Sequence, residues 1–346
     1  MTQTTFQTVV NALLETGKPF PKKYLSLFSD IDHASLKLLL DNWPRISLTS
    51  KRTLLEELDA LLEEDTIVSF DDFARALLTD PDGDVRTGAI RLLGECEDVK
   101  LVPVYGKILA SDPDPETRAA AAQALGLFVD LGQLDEIRED VYHRAENALL
   151  AAMRDDDADV RRRALESLGY SSHEEVPALI EAAIQREDAD WQASALIAMG
   201  RSNDERWSEP VVRMLLSEDR EVRLEAVRAA GELSLSAARL PLIRMLDEEE
   251  DTTIFSAVIW SLSQVGGEDV RTYLENLLDK TEDDDELDFI EDALANLAFT
   301  EDMEKFDLFA IDPDDDLIEL LDADGEVEED EDEEDPVSKK ASKKKR

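Results

Sequence analysis

The apolar positions of this chain recur with a fixed internal spacing. Counting from an anchor residue, positions 0, +4, +5 and +8 are apolar or small, and the next residue is most often glycine. Val85 leads to Ala89, Ile90, Leu93 and Gly94, Thr117 to Ala121, Ala122, Leu125 and Gly126, and Val160 to Ala164, Leu165, Leu168 and Gly169. Trp191, Val222, Ile254 and Phe289 open further copies, and Leu54 opens an earlier, sparser one. These offsets put the apolar side chains along one face of a helix. Successive anchors are 31, 32, 43, 31, 31, 32 and 35 residues apart, a solenoid period with two insertions.

Between the anchor helices lie further helical runs at 101–110, 176–185, 210–216, 240–246 and 270–278. Four contain an early proline (Pro103, Pro177, Pro210 and Pro241), which the first helical turn tolerates because its N–H has no intrahelical partner. Each repeat therefore reads as two antiparallel helices. The 43-residue interval places an insertion within 127–154 and predicts a long helix over 134–153. Such a helix offers a protruding edge, although a tolerated outer-face insertion is the simpler reading.

The ends differ. Phe6, Val9, Val10, Leu13 and Leu14 fall at helical spacing, and Gly17 and Pro19 end that helix. A short turn is expected at 24–28 and a helix at 32–43, which Pro44 stops. Lacking the repeat signature, residues 1–50 read as an N-terminal cap on a solenoid spanning 51–300. Phe306, Leu308, Phe309, Ile311, Leu317, Ile318, Leu320 and Leu321 suggest a C-terminal cap over 301–321. Residues 322–335 are mostly acidic and the chain ends KKASKKKR, so 322–346 is expected to be disordered.

At this point the chain resembles the HEAT-repeat family, especially the short bacterial repeats similar to phycobilisome lyase subunits. The resemblance implies an all-α, right-handed solenoid of stacked antiparallel helix pairs. It also implies an inter-repeat ladder built from an Asp between the helices and an Arg six residues later. Asp80 with Arg86, Asp112 with Arg118, and Asp155 with Arg161 fit that pattern. Arg223 has Ser217 at the partner position, and Gln192 and Phe255 replace the arginine, so the ladder is expected to weaken toward the C-terminus.

Composition narrows the function. Acids outnumber bases 83 to 37 in 346 residues, for a net charge of −46. Such a surface repels phosphate backbones and anionic membranes and favours basic partners. Cys96 is the single cysteine, so an internal disulfide is impossible and a reduced compartment fits. No apolar run reaches membrane-spanning length and no basic-then-apolar leader opens the chain, so a soluble, cytoplasmic protein is expected.

Catalytic motifs are lacking. GxxxxGK, GxGxxG, GxSxG and HExxH do not occur. One His173–Glu174 dyad resembles those of HEAT-like iron hydroxylases, which carry four. Asp80, Asp82 and Asp84, like Asp155, Asp157 and Asp159, have the early spacing of a calcium loop, but valine stands where its glycine belongs. Helix capping explains these acids better. No cofactor and no metal are expected, and Cys96 reads as a small buried side chain rather than a reactive thiol.

What remains is a set of basic and aromatic residues outside the core pattern of the anchor helices: Arg91, Arg162, Arg163, Arg228 and Trp260. By the resemblance, the second helices of each pair line a concave face. Arg and Trp are frequent interface anchors, so the expectation is a groove, less acidic than the rest of the surface, that binds a protein. A solvated face of mixed charge is the plainer alternative. The reading is therefore a non-enzymatic scaffold or adaptor. The alternatives are a subunit of a bilin-lyase-like or other protein-modifying enzyme, and an acidic chaperone shielding basic proteins. The acidic tail either competes for the groove or only solubilises the chain.

Overall fold

The computed structural model describes residues 6–15 and 17–308, and every described element is helical. Of the cap expected at 301–321, residues 309–321 lie outside the described residues, as does the whole of the tail expected to be disordered at 322–346. The helices are α1 (Phe6–Leu14), α2 (His33–Asn42), α3 (Leu48–Glu64), α4 (Asp71–Leu77), α5 (Gly83–Arg91), α6 (Leu101–Ser111), α7 (Pro115–Gln133), α8 (Glu139–Ala152) and α9 (Ala158–Leu168). They continue as α10 (Val176–Ile184), α11 (Ala189–Arg201), α12 (Ser208–Met214), α13 (Arg220–Glu232), α14 (Arg239–Glu248), α15 (Thr252–Val265), α16 (Glu268–Leu278) and α17 (Asp284–Leu308). The chain divides after Thr300, and what is described of the second unit is the end of α17.

The first unit is a solenoid of stacked helix pairs. Odd-numbered helices from α3 onward carry the anchors and form one layer; even-numbered helices from α4 onward form the other. Val85, Val160, Val222 and Ile254 are fully buried, as are Ala121, Leu125, Ala164, Leu168, Ala195, Met199, Ala226 and Ala230 behind the anchors.

The six anchor helices from α5 to α15 begin the same way. Asp82, Asp114, Asp157, Asp188, Asp219 and Asp251 occupy the N-cap, and each carboxylate accepts a backbone N–H from the first turn. Two residues earlier, Asp80, Asp112 and Asp155 accept the N–H of the capping aspartate at 2.9, 3.0 and 2.9 Å. The spaced aspartates are thus occupied in chain reversal and capping.

The layers are packed unequally. Anchor helices touch one another along the stack far more extensively than the helices of the other layer do. Two layers of unequal spacing must bend toward the tighter one, so the anchor helices line the inner side. Small residues permit this spacing. An added Cβ on Gly126, Gly169, Gly200 or Gly231, all at +9, would come within about 3.4 Å of the Cα of Ser167, Ala198, Ala229 or Ser261, all at +7 of the next repeat. Ser167 and Ser261 also donate their hydroxyls to the carbonyls of Ala122 and Val227 at 3.0 and 2.8 Å.

The ladder has a more specific form than expected. Arg86 holds the carbonyl of Asp80 in its own repeat and the carboxylate of Asp112 in the next, at 2.6–2.8 Å. Arg118 does the same with Asp112 and Asp155 at 2.9 Å. Arg161 meets Arg186 in the next aspartate position, and both guanidiniums stack on Trp191, at 5.9 and 4.0 Å from its ring centre. The ladder then resumes: Arg223 holds the Ser217 carbonyl and the Glu249 carboxylate, both at 2.9 Å. Phe255 then stands at the next arginine position, so the ladder does thin toward the C-terminus as expected, with an aromatic ring bridging the mid-stack gap and Arg223–Glu249 a single rung beyond it.

The expected long helix at 134–153 is also redistributed. The insertion extends α7 to Gln133, and α8 starts at Glu139. Tyr142 packs against Gly132 and donates to the buried carboxylate of Glu146 at 2.7 Å, closing the extension back onto the stack.

Candidate functional site: the anchor-helix face

The outward side of the anchor layer is lined by the +3, +6 and +10 positions of successive helices, of which Ser194 and Glu166 are buried between repeats. Arg91 and Trp260 stand at +6 of α5 and α15, Arg228 at +6 of α13, and Arg162 and Arg163 at +2 and +3 of α9. All five belong to one layer, but they gather in two places.

Arg91, Arg162 and Arg163 line a cavity of about 390 Å³ together with Glu116, Asp157 and Asp159. Arg228 and Trp260 line another, of about 500 Å³, with Glu232, Gln264 and Phe289. A third cavity, of about 430 Å³, adjoins the first and runs from Asp59 and Arg91 past Gln123 to Tyr170 and Arg201. Arg91 lies where the cavities of the N-terminal half meet.

The arginines are not free positive charge. Arg91 pairs with Glu116 at 3.4 Å, and Arg162 with Asp159 and with Asp190 of the next repeat. Arg163 pairs with Glu166 at 2.7 Å, and Arg228 with Glu225 at 2.7 Å. Glu166 is buried, and its second oxygen accepts the hydroxyl of Ser194 at 2.6 Å. The expected less-acidic groove is, in the structure, a lattice of alternating charges.

Several carboxyls on this face are perturbed by the walls around them. Burial pushes Asp59, Asp130, Glu225 and Glu232 above the ordinary carboxyl range, with nearby Arg91, Arg201 or Arg228 opposing the shift. Glu232 remains solvent-accessible but is flanked by two repeats, which displaces much of its water.

Tyr170, Arg201 and Glu232 were missed by sequence reasoning. All three stand at +10 after their anchors, as do Glu95 and Gln264. That column was as periodic as the +6 column and exposed the same face. Arg201 ties it together, donating to the Glu166 carbonyl at 3.0 Å and lying 5.0 Å from the Tyr170 ring centre.

Groupings that resemble catalytic sites resolve differently. Ser171 donates to Glu146 at 2.6 Å while His143 faces the other oxygen of that carboxylate, so the serine proton is committed to an acid and not to an imidazole. Cys96 is half-buried, donates to Asp71 at 2.8 Å and accepts from Arg75 at 3.0 Å. Burial and the Asp71 contact raise its pKa, which disfavours the thiolate. Among the described residues no group of His, Cys, Asp and Glu is arranged to hold a metal ion. No described helix is long and apolar enough to cross a membrane.

The sequence model of HEAT repeats matches residues 71–141, 146–223 and 208–295. The chain belongs to the HEAT-repeat family. Similar solved structures include YibA of Escherichia coli, at 18% identity and a TM-score of 0.43, covering 82% of this chain and 99% of that one. The complex of CpcE and CpcF of phycocyanin lyase from Nostoc sp. matches at 18% identity and a TM-score of 0.48, covering 82% and 97%. A Kap95:Nup1 complex matches at 10% identity and a TM-score of 0.44, covering 85% of this chain and 46% of that one. Such distant likenesses assign no function to this HEAT-repeat chain. No curated protein sequence matches it.

Proposed function

We propose that this HEAT-repeat protein is a non-catalytic scaffold or adaptor that captures a protein partner along the anchor-helix face. Stacked repeats present extended surfaces suited to long, shallow contacts. The observation that carries the reading is the run of cavities along this face, between Asp59 at one end and Trp260 at the other. Trp260 is a large aromatic left 40% exposed, at a position where interface anchors are expected.

The structure changes how this is tested. Reversing Arg163 or Arg228 to Glu would place two carboxylates together on a desolvated site and unbalance the fold. Arg91→Ala and Trp260→Ala remove side chains that are about half-exposed. The pair should abolish capture of the partner in a pull-down while leaving the circular dichroism spectrum unchanged. Undiminished capture would remove the face from consideration. An acidic chaperone for basic proteins would instead lose binding on removal of residues 322–346, whereas a groove-binding adaptor tolerates that truncation.

A further inference from the structure

The four tryptophans differ in one respect. Trp43 carries Lys51 at 4.8 Å from its ring centre, Trp191 carries Arg186 at 4.0 Å, and Trp207 carries Arg206 at 6.0 Å. All three rings are buried. Trp260 is the exposed one, and no cation of the described residues is placed over it. Its aromatic neighbour is Phe289, 6.4 Å away in a tilted arrangement.

The cavity beside Trp260 is also lined by Glu232, whose Oε2 lies against Gly200 of α11 and which accepts no hydrogen bond from the described residues. Arg228 shares that space, but its guanidinium is held by Glu225 at 2.7 Å. An exposed aromatic face and a carboxylate with no hydrogen-bond donor among the described residues, lining one cavity, are complementary to a cation with an apolar stem. The surrounding field has the same preference, since the chain carries a net charge of −46.

We infer that the cavity between α13 and α15 receives an arginine or lysine side chain from a basic segment of a protein partner, held between the Trp260 ring and the Glu232 carboxylate. This rests on the anchor-helix face being the binding surface and adds the chemistry of its occupant. Arginine suits the site better than lysine, because its guanidinium stacks on a ring and pairs with a carboxylate at once. Binding a cation favours the ionised form of Glu232, whose charged neighbours are Arg201, Glu225 and Arg228. Affinity should therefore rise as pH climbs from 4.5 through the raised pKa of Glu232 and level off above it.

Tryptophan fluorescence of the full chain tests this, because three of the four rings are shielded. A short oligo-arginine peptide should protect the quenchable emission from acrylamide, and an oligo-glutamate peptide should not. Trp260→Phe should remove the quenchable emission. Glu232→Gln should weaken the peptide about tenfold. Glu174→Gln, at an exposed acid on the loop before α10, should leave affinity unchanged. Equal losses from both glutamate variants would mean diffuse attraction to the acidic surface and overturn the assignment. Failure of the peptide to protect Trp260 would overturn it too. If Arg91→Ala with Trp260→Ala still abolished partner capture, the binding face would stand without its cationic occupant.

Discussion

Substituting Gly169 by alanine sets two opposing effects against each other, and the structure says which wins. Gly169 follows α9 with helical dihedrals (φ −51°, ψ −35°), so alanine fits its backbone. On propensity alone the change stabilises, by up to about 1 kcal/mol. The new Cβ, however, would lie 2.7 Å from both the Cα and the carbonyl oxygen of Ala198 in α11. These are backbone atoms, so no rotamer change relieves the contact. Relief requires α9 and α11 to move apart by more than half an ångström, and overpacking of this kind costs about 1–3 kcal/mol. The net expectation is a loss of about 1–2 kcal/mol, taking the propensity gain into account. Gly106→Ala in α6 is the matched control, because its Cβ meets only the Ala148 side chain at an ordinary 3.9 Å. It should gain about 0.5–1 kcal/mol. Urea midpoints of the two variants should fall on opposite sides of the parent. A Gly169→Ala protein as stable as the parent would refute the close-packing account of the anchor layer.

Two further expectations concern charge. Asp155→Asn removes the forked acceptor of Arg118 and should cost about 1.5–3 kcal/mol at neutral pH. Arg118 holds the Asp155 carboxyl below its ordinary 3.8, so this stabilisation is complete above pH 3.8 and disappears as pH falls through the lowered value. Acid titrations of the two proteins by circular dichroism should converge there, and a gap persisting below that range would contradict the pairing. Cys96 should react slowly with a thiol-specific disulfide reagent at pH 8, because burial and then Asp71 raise its pKa. Asp71→Ala should speed the reaction, and an unchanged rate would show that burial alone protects the thiol.

Much of the architecture was legible because each repeat states it again. The anchor, its small followers and the capping aspartate agree in the copies from Val85 to Ile254, so local propensity and packing reinforce one another. The mid-stack break was legible only by following the acceptor column as well as the arginine column: Arg186 and Glu249 stand where Asp would, and each sets what its neighbour does. The division of the insertion between α7 and α8 was less accessible, because helical periodicity continues through 134–138 while the backbone turns, with Asp135 at φ 59°. Of the site, the +6 residues were found and the +10 residues were not. The pairing of Arg163 with Glu166 and of Arg228 with Glu225 follows from spacing of three residues along a helix. Their desolvation does not, because it depends on how closely adjacent repeats stack.

The most direct test of the account is site-specific photo-crosslinking in the presence of the captured partner. A benzophenone side chain at Gln123, exposed in the middle of the anchor-helix face, is compared with one at Val104, exposed on α6 in the other layer. Crosslinks to the partner from position 123 and none from position 104 are the predicted result. Crosslinks from position 104 with none from position 123 would place the partner on the opposite layer and contradict the account.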